Sequence, residues 1–364
     1  MHRDPVIDAD GHIVETDSEI FEYLPPPYKG EEMLFAYPFF PTLDGWHRSA
    51  KRVTDKSGIR IEKPTGKQWL DYLNSANIAA TVLYPTAGLA FGLISDSAWA
   101  AGLARAYNDW LYDRFMRLDP ARIKGAALIP VQEPEAAAEE IRRVAKDLGF
   151  VTAILPAVGP QRGYGAREYW PIYEAAQECN VTLAVHGAPS YDLGLERLQK
   201  LIEVRTLTHP FSQMIQLTSM VFEGVFDLFP KLRVAYCEAG CGWVPWIAER
   251  MDMEFGNRRA QAPDLKVLPS EHLGGGRIFF HCELDEDGLA NAVAKLGRGD
   301  IFFSASDYPH ENKEEYPEKI EAFMARPDLP DAAKRAVLWD APIRMYGLDE
   351  ATMKQGAPSA SASR

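Results

Sequence analysis

The sequence predicts an α/β fold, a (β/α)8 TIM barrel with an N-terminal insertion after strand 1, and three observations carry that prediction. Eight short apolar runs rich in β-branched residues punctuate the chain, amphipathic helical stretches separate most of them, and ionisable residues cluster at their downstream ends. The runs are VIDADGHIV from Val6, ATVLYPT from Ala80, IKGAALIPV from Ile123 and TAILPAV from Thr152, then VTLAVHG from Val181, RVAYCEAG from Arg233, IFFHCEL from Ile278 and IFFSASDYPH from Ile301. Most are spaced about 25 to 50 residues apart, room for a helix and a loop between parallel neighbours. Helical patterns begin at Ser97 and at Pro134, the second ending in Gly149, the residue type expected just past a helix C-terminus. An open doubly wound sheet has the same periodicity. The polar residues decide, because Asp10, His12, His186, Glu238 and Asp307 end runs spread along the whole chain, and only a closed barrel gathers all those ends at one mouth.

Residues 1–355 read as one domain, and only residues 15–67 break its pattern. That stretch carries LPPPY from Leu24, FAYPFFP from Phe35 and Trp46, and reads either as a lid or pocket wall or as a surface loop packed on its own aromatics. Residues 356–364 are small and polar and read as a disordered tail. Lys plus Arg total 39 against 52 Asp plus Glu, a net charge of -13 that argues against nucleic acid or an anionic membrane and for a small-molecule substrate. The N-terminal residues lack the pattern of a signal peptide, and no run suits a membrane span, so a cytoplasmic protein is expected. Cys179, Cys237, Cys241 and Cys282 are too few for a disulfide scaffold and read as reduced, buried thiols.

Alternation along the first strand puts Asp8, Asp10 and His12 on one face, where three ionisable groups need a compensating charge. His186 ends the fifth run and Asp307 the eighth. Two carboxylates and two imidazoles at the same end of strands one, five and eight suit a divalent ion of borderline hardness.

These motifs resemble the amidohydrolase-related family, whose members include enzymes similar to aminocarboxymuconate semialdehyde decarboxylase. The resemblance rests on Asp-x-Asp-x-His at strand one, His-Gly at strand five, the segment Gly224–Arg233 before strand six and Ser-Asp-Tyr-Pro-His at strand eight. It implies that Asp10, His12, His186 and Asp307 hold one divalent metal, with Asp10 standing where the family usually has histidine. Zinc is the first expectation, and the added oxygen ligand admits manganese or iron. It also implies a homodimer. Decarboxylase members carry a histidine after strand six, where this chain has Glu238, which could ligate the metal or serve as base but cannot donate as an imidazolium does.

The expected function is a metal-dependent hydrolase acting through metal-bound water on a small, carboxylated cyclic or ring-cleavage compound. Asp307 would take the proton, Glu238 would orient substrate or serve the leaving group, and His186 would complete the centre. A non-oxidative decarboxylase of an aromatic or muconate-type acid is the alternative, and an inactive ligand-binding barrel is the reading of another class. His209, expected to open the helix before strand six, and His281, Glu283 and Glu286 near strand seven are further candidates for substrate contact. Arg52, Arg60 and Arg162 are candidates to clamp a substrate carboxylate.

Overall fold

Eight parallel strands follow one another around the sheet in chain order, each hydrogen-bonded to the next. They are β1 (Val6–Ile13), β2 (Ile78–Pro85), β3 (Ile123–Ala127), β4 (Thr152–Pro156), β5 (Thr182–His186), β6 (Val234–Cys237), β7 (Ile278–His281) and β8 (Phe302–Phe303). This architecture comes from a computed structural model, which describes residues 5–31, 34, 36–43 and 62–356. The remaining positions include Trp46, Arg52 and Arg60 and the tail beyond Gly356, so the readings of those residues lie outside the described part.

The eighth run is mostly not strand. After Phe303 the backbone turns through Asp307 at φ 51°, which ends the regular ladder. Closure survives through single bonds to β1: Ala9 N–H to Ser304 O at 3.4 Å, Asp307 N–H to Asp10 O at 3.2 Å and His12 N–H to Tyr308 O at 2.7 Å. The sheet is thus a nearly closed barrel with every strand end facing one mouth, as the spread of polar residues predicted.

The helices that matter to the site are α1 (Asp17–Phe21), α2 (Gly66–Ser75), α3 (Ser97–Arg114), α4 (Pro134–Arg143), α5 (Trp170–Glu178) and α6 (Leu201–Phe222), with further helices following β6, β7 and β8. Among the described residues no helix is long and apolar enough to cross a membrane. In the described part of the insertion Phe39 and Phe40 are buried, and the rings of Tyr28 and Phe39 lie 5.1 and 5.5 Å from Trp99 at the start of α3. The far end of the insertion touches the strand-eight loop, where the Tyr308 hydroxyl donates to Glu62 at 3.1 Å.

His209 does not open a helix. It sits in the middle of α6, which runs on through Pro210 and starts eight residues earlier, at Leu201. The Glu203 carboxylate accepts the Gln199 and Lys200 amides at 3.2 and 3.0 Å, supplying the N-terminal cap that no Ser, Thr, Asp or Asn announces in the sequence. All four cysteines are free, as their small number suggested, and Cys237, Cys241 and Cys282 are buried, whereas Cys179, expected to be buried too, is half-buried at the end of α5.

Candidate metal centre

The end of β1 is irregular, and the irregularity aims its side chains. The register against β2 shifts between Asp8 and Gly11, so strict alternation fails there. Gly11 is needed at this point: a Cβ would come within 2.6 Å of the Trp69 ring and 2.8 Å of Thr81 Oγ1. Asp8, grouped with Asp10 and His12 by alternation, instead ties strands together, accepting hydrogen bonds from Thr81 Oγ1 at 2.7 Å, Ser306 N at 2.8 Å and Ser306 Oγ at 2.9 Å. Burial pushes its carboxyl above the usual range against those donors.

Asp10 is fully buried, and neither carboxylate oxygen has a protein hydrogen-bond partner. His12 Nδ1 donates to the Pro85 carbonyl at 2.9 Å, which turns Nε2 inward. There it lies 2.9 Å from Glu238 Oε1 and 3.5 Å from both Asp10 Oδ1 and Asp307 Oδ1. His186 is held the same way, Nδ1 to the Gly187 carbonyl at 2.6 Å, leaving a buried Nε2 with no hydrogen-bond partner, 3.4 Å from Asp10 Oδ2 and 3.5 Å from Glu238 Oε1. Gly187 lets α6 approach, since a Cβ there would meet His209 Cα and Ser212 Oγ at 3.1 Å. That approach brings His209 Nε2 to 3.1 Å from Glu238 Oε2.

Glu238 and Asp307 both leave their strands with positive φ, 54° and 51°. The turn after Glu238 is held by Glu286, whose carboxylate accepts the Cys241 amide at 2.9 Å and the Gly242 amide at 2.6 Å. Glu286 therefore shapes the loop backbone, a different task from the substrate contact considered for it.

Asp307 Oδ1 meets His310 Nδ1 at 2.8 Å, and His310 Nε2 meets Thr86 Oγ1 at 2.8 Å. Thr86 already donates its one hydroxyl hydrogen to Ile13 O at 2.7 Å, so His310 Nε2 is the donor to Thr86. Burial and the nearby His12 hold the His310 imidazole neutral, pushed down to about 3, so its Nδ1 accepts and the hydrogen in the Asp307 contact belongs to Asp307. Burial, with Glu238 and Asp10 adding negative charge, accordingly raises the Asp307 carboxyl well above its usual range. The same surroundings split the other groups. Against the effect of burial, Glu238 and Asp10 hold both His12 and His186 above the ordinary imidazole value, whereas His186 and His12 hold Glu238 well below the ordinary carboxylate value.

The donor atoms of Asp10, His12, His186 and Glu238 lie within 4.8 Å of one another, and those of His12, Glu238, Asp307 and His310 form a second, overlapping group. Buried carboxylate oxygens and an imidazole nitrogen with no hydrogen-bond partners, all facing one point, fit a divalent cation. Of the residues expected to hold it, the structure groups Asp10, His12 and His186 directly, and brings Asp307 in through His12. Glu238 joins the cluster itself, one of the two places, ligand or base, that its type and position left open. His310 was also missed; the signal was its i, i+3 spacing from Asp307.

A cavity of about 180 Å³ opens beside the cluster, bounded by His209, Glu238, His281, Asp307 and Lys319, together with Arg205 on α6. Glu283 also borders it and pairs with Lys319 at 3.5 Å. Arg162 lies elsewhere, on the surface, paired with Glu168 at 3.5 Å. Among the described residues, Arg205 is the arginine that borders the cavity.

A parallel barrel whose mouth gathers buried carboxylates and imidazoles around one point is the scaffold of a divalent-metal-dependent enzyme. The amidohydrolase family model matches residues 7–348, and the chain belongs to that family. Among curated relatives, gamma-resorcylate decarboxylase of Polaromonas sp. (strain JS666) is 27% identical over 233 residues, 60% of this chain and 69% of that protein. The 2-amino-3-carboxymuconate-6-semialdehyde decarboxylase of Dictyostelium discoideum is 25% identical over 285 residues, 76% of this chain and 75% of that protein. Among solved structures, dihydroxybenzoic acid decarboxylase from Polaromonas sp. JS666, with bound manganese and the inhibitor 2-nitroresorcinol, superposes with a TM-score of 0.68 at 20% identity over 96% of this chain and 99% of that one. An amidohydrolase from Mycobacterium avium subsp. paratuberculosis K-10 superposes at 0.74 with 18% identity, covering 95% of this chain and 100% of that one.

Proposed function

We propose that this protein is a metal-dependent non-oxidative decarboxylase of a small aromatic acid, rather than the hydrolase that the Glu238 position first favoured. The observation that carries the choice is that the curated relatives named above are decarboxylases, one of them along three quarters of the chain. A metal centre alone serves both chemistries equally well. The cavity beside the cluster, about 180 Å³, is of the scale of a single substituted ring, which suits a small aromatic acid.

In this reading Asp10, His12, His186 and Glu238 hold the ion, with Asp307 at its edge. Their three carboxylates against two imidazoles favour a harder ion than zinc, and manganese is the metal in the Polaromonas structure. The bound ion supplies positive charge that orients the substrate carboxylate and any adjacent ring hydroxyl. Asp307 carries the proton. As the bond between the ring carbon and the carboxyl group breaks, its electron pair takes the proton from Asp307 and carbon dioxide leaves; solvent then returns one proton to Asp307. His310 keeps that carboxyl protonated and aimed, and His209 fixes the outer oxygen of Glu238.

The test is to load the full chain with manganese and supply dihydroxybenzoates in D2O containing oxygen-18 water. Carbon dioxide release, with one deuterium on the ring of the product and no oxygen-18 in it, is expected. No carbon dioxide from any dihydroxybenzoate, with oxygen-18 from water entering the carboxyl product of an aromatic lactone or cyclic amide supplied in parallel, would restore the hydrolase.

A further inference from the structure

His281 ends β7, between the strands that deliver Glu238 and Asp307, and borders the same cavity. It is 3% exposed, yet among the described residues its Nδ1 has no hydrogen-bond partner. An imidazole nitrogen left unpaired in this way costs roughly 1–3 kcal/mol, and buried polar groups almost always have a partner of some kind. The metal is not that partner, because His281 belongs to neither group of converging donor atoms. Nor do the other polar residues at the cavity supply one. His209 is engaged by Glu238, and Lys319 by Glu283. The imidazole ring itself borders the cavity, so an occupant of the cavity is the group left to partner it.

The chemistry of the wall narrows the occupant. A second carboxylate at this end would meet four carboxyl groups, Glu238, Glu283, Asp307 and Glu311, against two cations, Arg205 and Lys319, the latter already paired with Glu283. A phenolic hydroxyl carries no charge at neutral pH, and it matches an imidazole's one donor and one acceptor. We propose that His281 is a specificity-determining residue that hydrogen-bonds a ring hydroxyl of the substrate, so that the protein prefers an aromatic acid bearing a hydroxyl beyond any beside its carboxylate. The proposal rests on the aromatic-acid reading above.

The experiment is calorimetric titration of the manganese-loaded full chain with 2-hydroxybenzoate and with its 2,3-, 2,4-, 2,5- and 2,6-dihydroxy counterparts. At least one of the 2,3-, 2,4- and 2,5-dihydroxy isomers is expected to bind roughly tenfold more tightly than 2-hydroxybenzoate and than the 2,6-isomer, whose hydroxyls both flank the carboxylate. That advantage should vanish in His281→Phe and return in part in His281→Asn, while the affinity for 2-hydroxybenzoate changes little. Manganese content and melting temperature check each variant, and His281→Leu replaces His281→Phe if the latter does not fold. Binding of all five acids with no hydroxyl advantage, or an equal loss of all five in the apolar variant, overturns the role of His281 alone. Absence of binding by every acid, 2-hydroxybenzoate included, overturns the aromatic-acid reading and this proposal together.

Discussion

Metal binding should release protons, and the number is set by the residues around the centre. Without a cation, Glu238 and Asp10 draw protons onto His12 and His186, and burial with the nearby carboxylates keeps one on Asp307. An imidazole nitrogen can bind a metal only when its lone pair is free, so loading the ion must strip the inward-facing Nε2 of His12 and of His186. Because the folded-state values of both histidines are raised, they are still protonated at pH values where ordinary imidazoles have become neutral. Each proton released makes affinity rise about tenfold per pH unit, as long as the pH lies below the value of the group losing it. One to two protons per ion, from His12 and His186, are therefore expected, Asp307 keeping its own. The manganese dissociation constant should fall by roughly ten- to a hundredfold from pH 6 to pH 7. Isothermal titration in buffers of different ionisation enthalpy counts the protons directly. A proton count of zero with affinity flat between pH 6 and 8 would refute the reasoning, since it would mean that the imidazoles are already neutral.

Manganese at about a hundred times its dissociation constant should stabilise the fold by ~2.7 kcal/mol, which for 364 residues raises the melting temperature by about 3–4 °C in a thermal scan, and a chelator should reverse it. Gly187→Ala should cost about 1–3 kcal/mol in urea unfolding, because the added methyl presses on His209 and Ser212 of α6. Asp300 has its carboxyl pulled down to about 2, chiefly by the Arg298 guanidinium and then by Arg344. Its contribution is present above pH 4 and is lost as the pH falls through 2; after allowing for its exposure, Asp300→Asn should lose about 1 kcal/mol at pH 6 and almost nothing at pH 2 in denaturant titrations. Asp307→Asn should still bind one manganese but release carbon dioxide about 10²- to 10⁴-fold more slowly in single-turnover assays.

How much of this was legible in the sequence depends on the physics of each part. The barrel was readable because strand and helix periods differ and because the ends of the runs repeat one chemistry from Asp10 to Asp307. The side-chain direction at β1 was only half readable: alternation gave Asp10 and His12, but the register shift turns Asp8 to Thr81 and Ser306 instead. Glu238 was legible as a metal ligand or a base but not as one rather than the other, because its position depends on a left-handed turn that any sequence rule would assign to glycine. His209 was misplaced because proline usually marks a helix start, whereas here the Glu203 cap starts the helix first and α6 tolerates Pro210. Hydrolysis against decarboxylation was not legible from ligand types, since either reaction can use the same ion.

The two left-handed carboxylates explain why such a centre is built where the strands stop. A non-glycine residue in that region costs of order 1–3 kcal/mol, so Glu238 and Asp307 together represent a substantial local strain. Neighbouring bonds hold each in place: the Asp307 amide donates to Asp10 O and its carbonyl accepts the His310 amide at 2.7 Å, while Glu286 clamps the amides that follow Glu238. A residue continuing in extended conformation would send the next side chain to alternate faces of the sheet. The sharp turn ends that alternation and leaves both carboxylates at the mouth, Oε1 of one and Oδ1 of the other reaching the same His12 nitrogen. Asparagine tolerates the left-handed region better than alanine does. Asparagine at Asp307 therefore tests the charge with the turn preserved, whereas alanine would release the backbone along with the side chain and confuse the two effects.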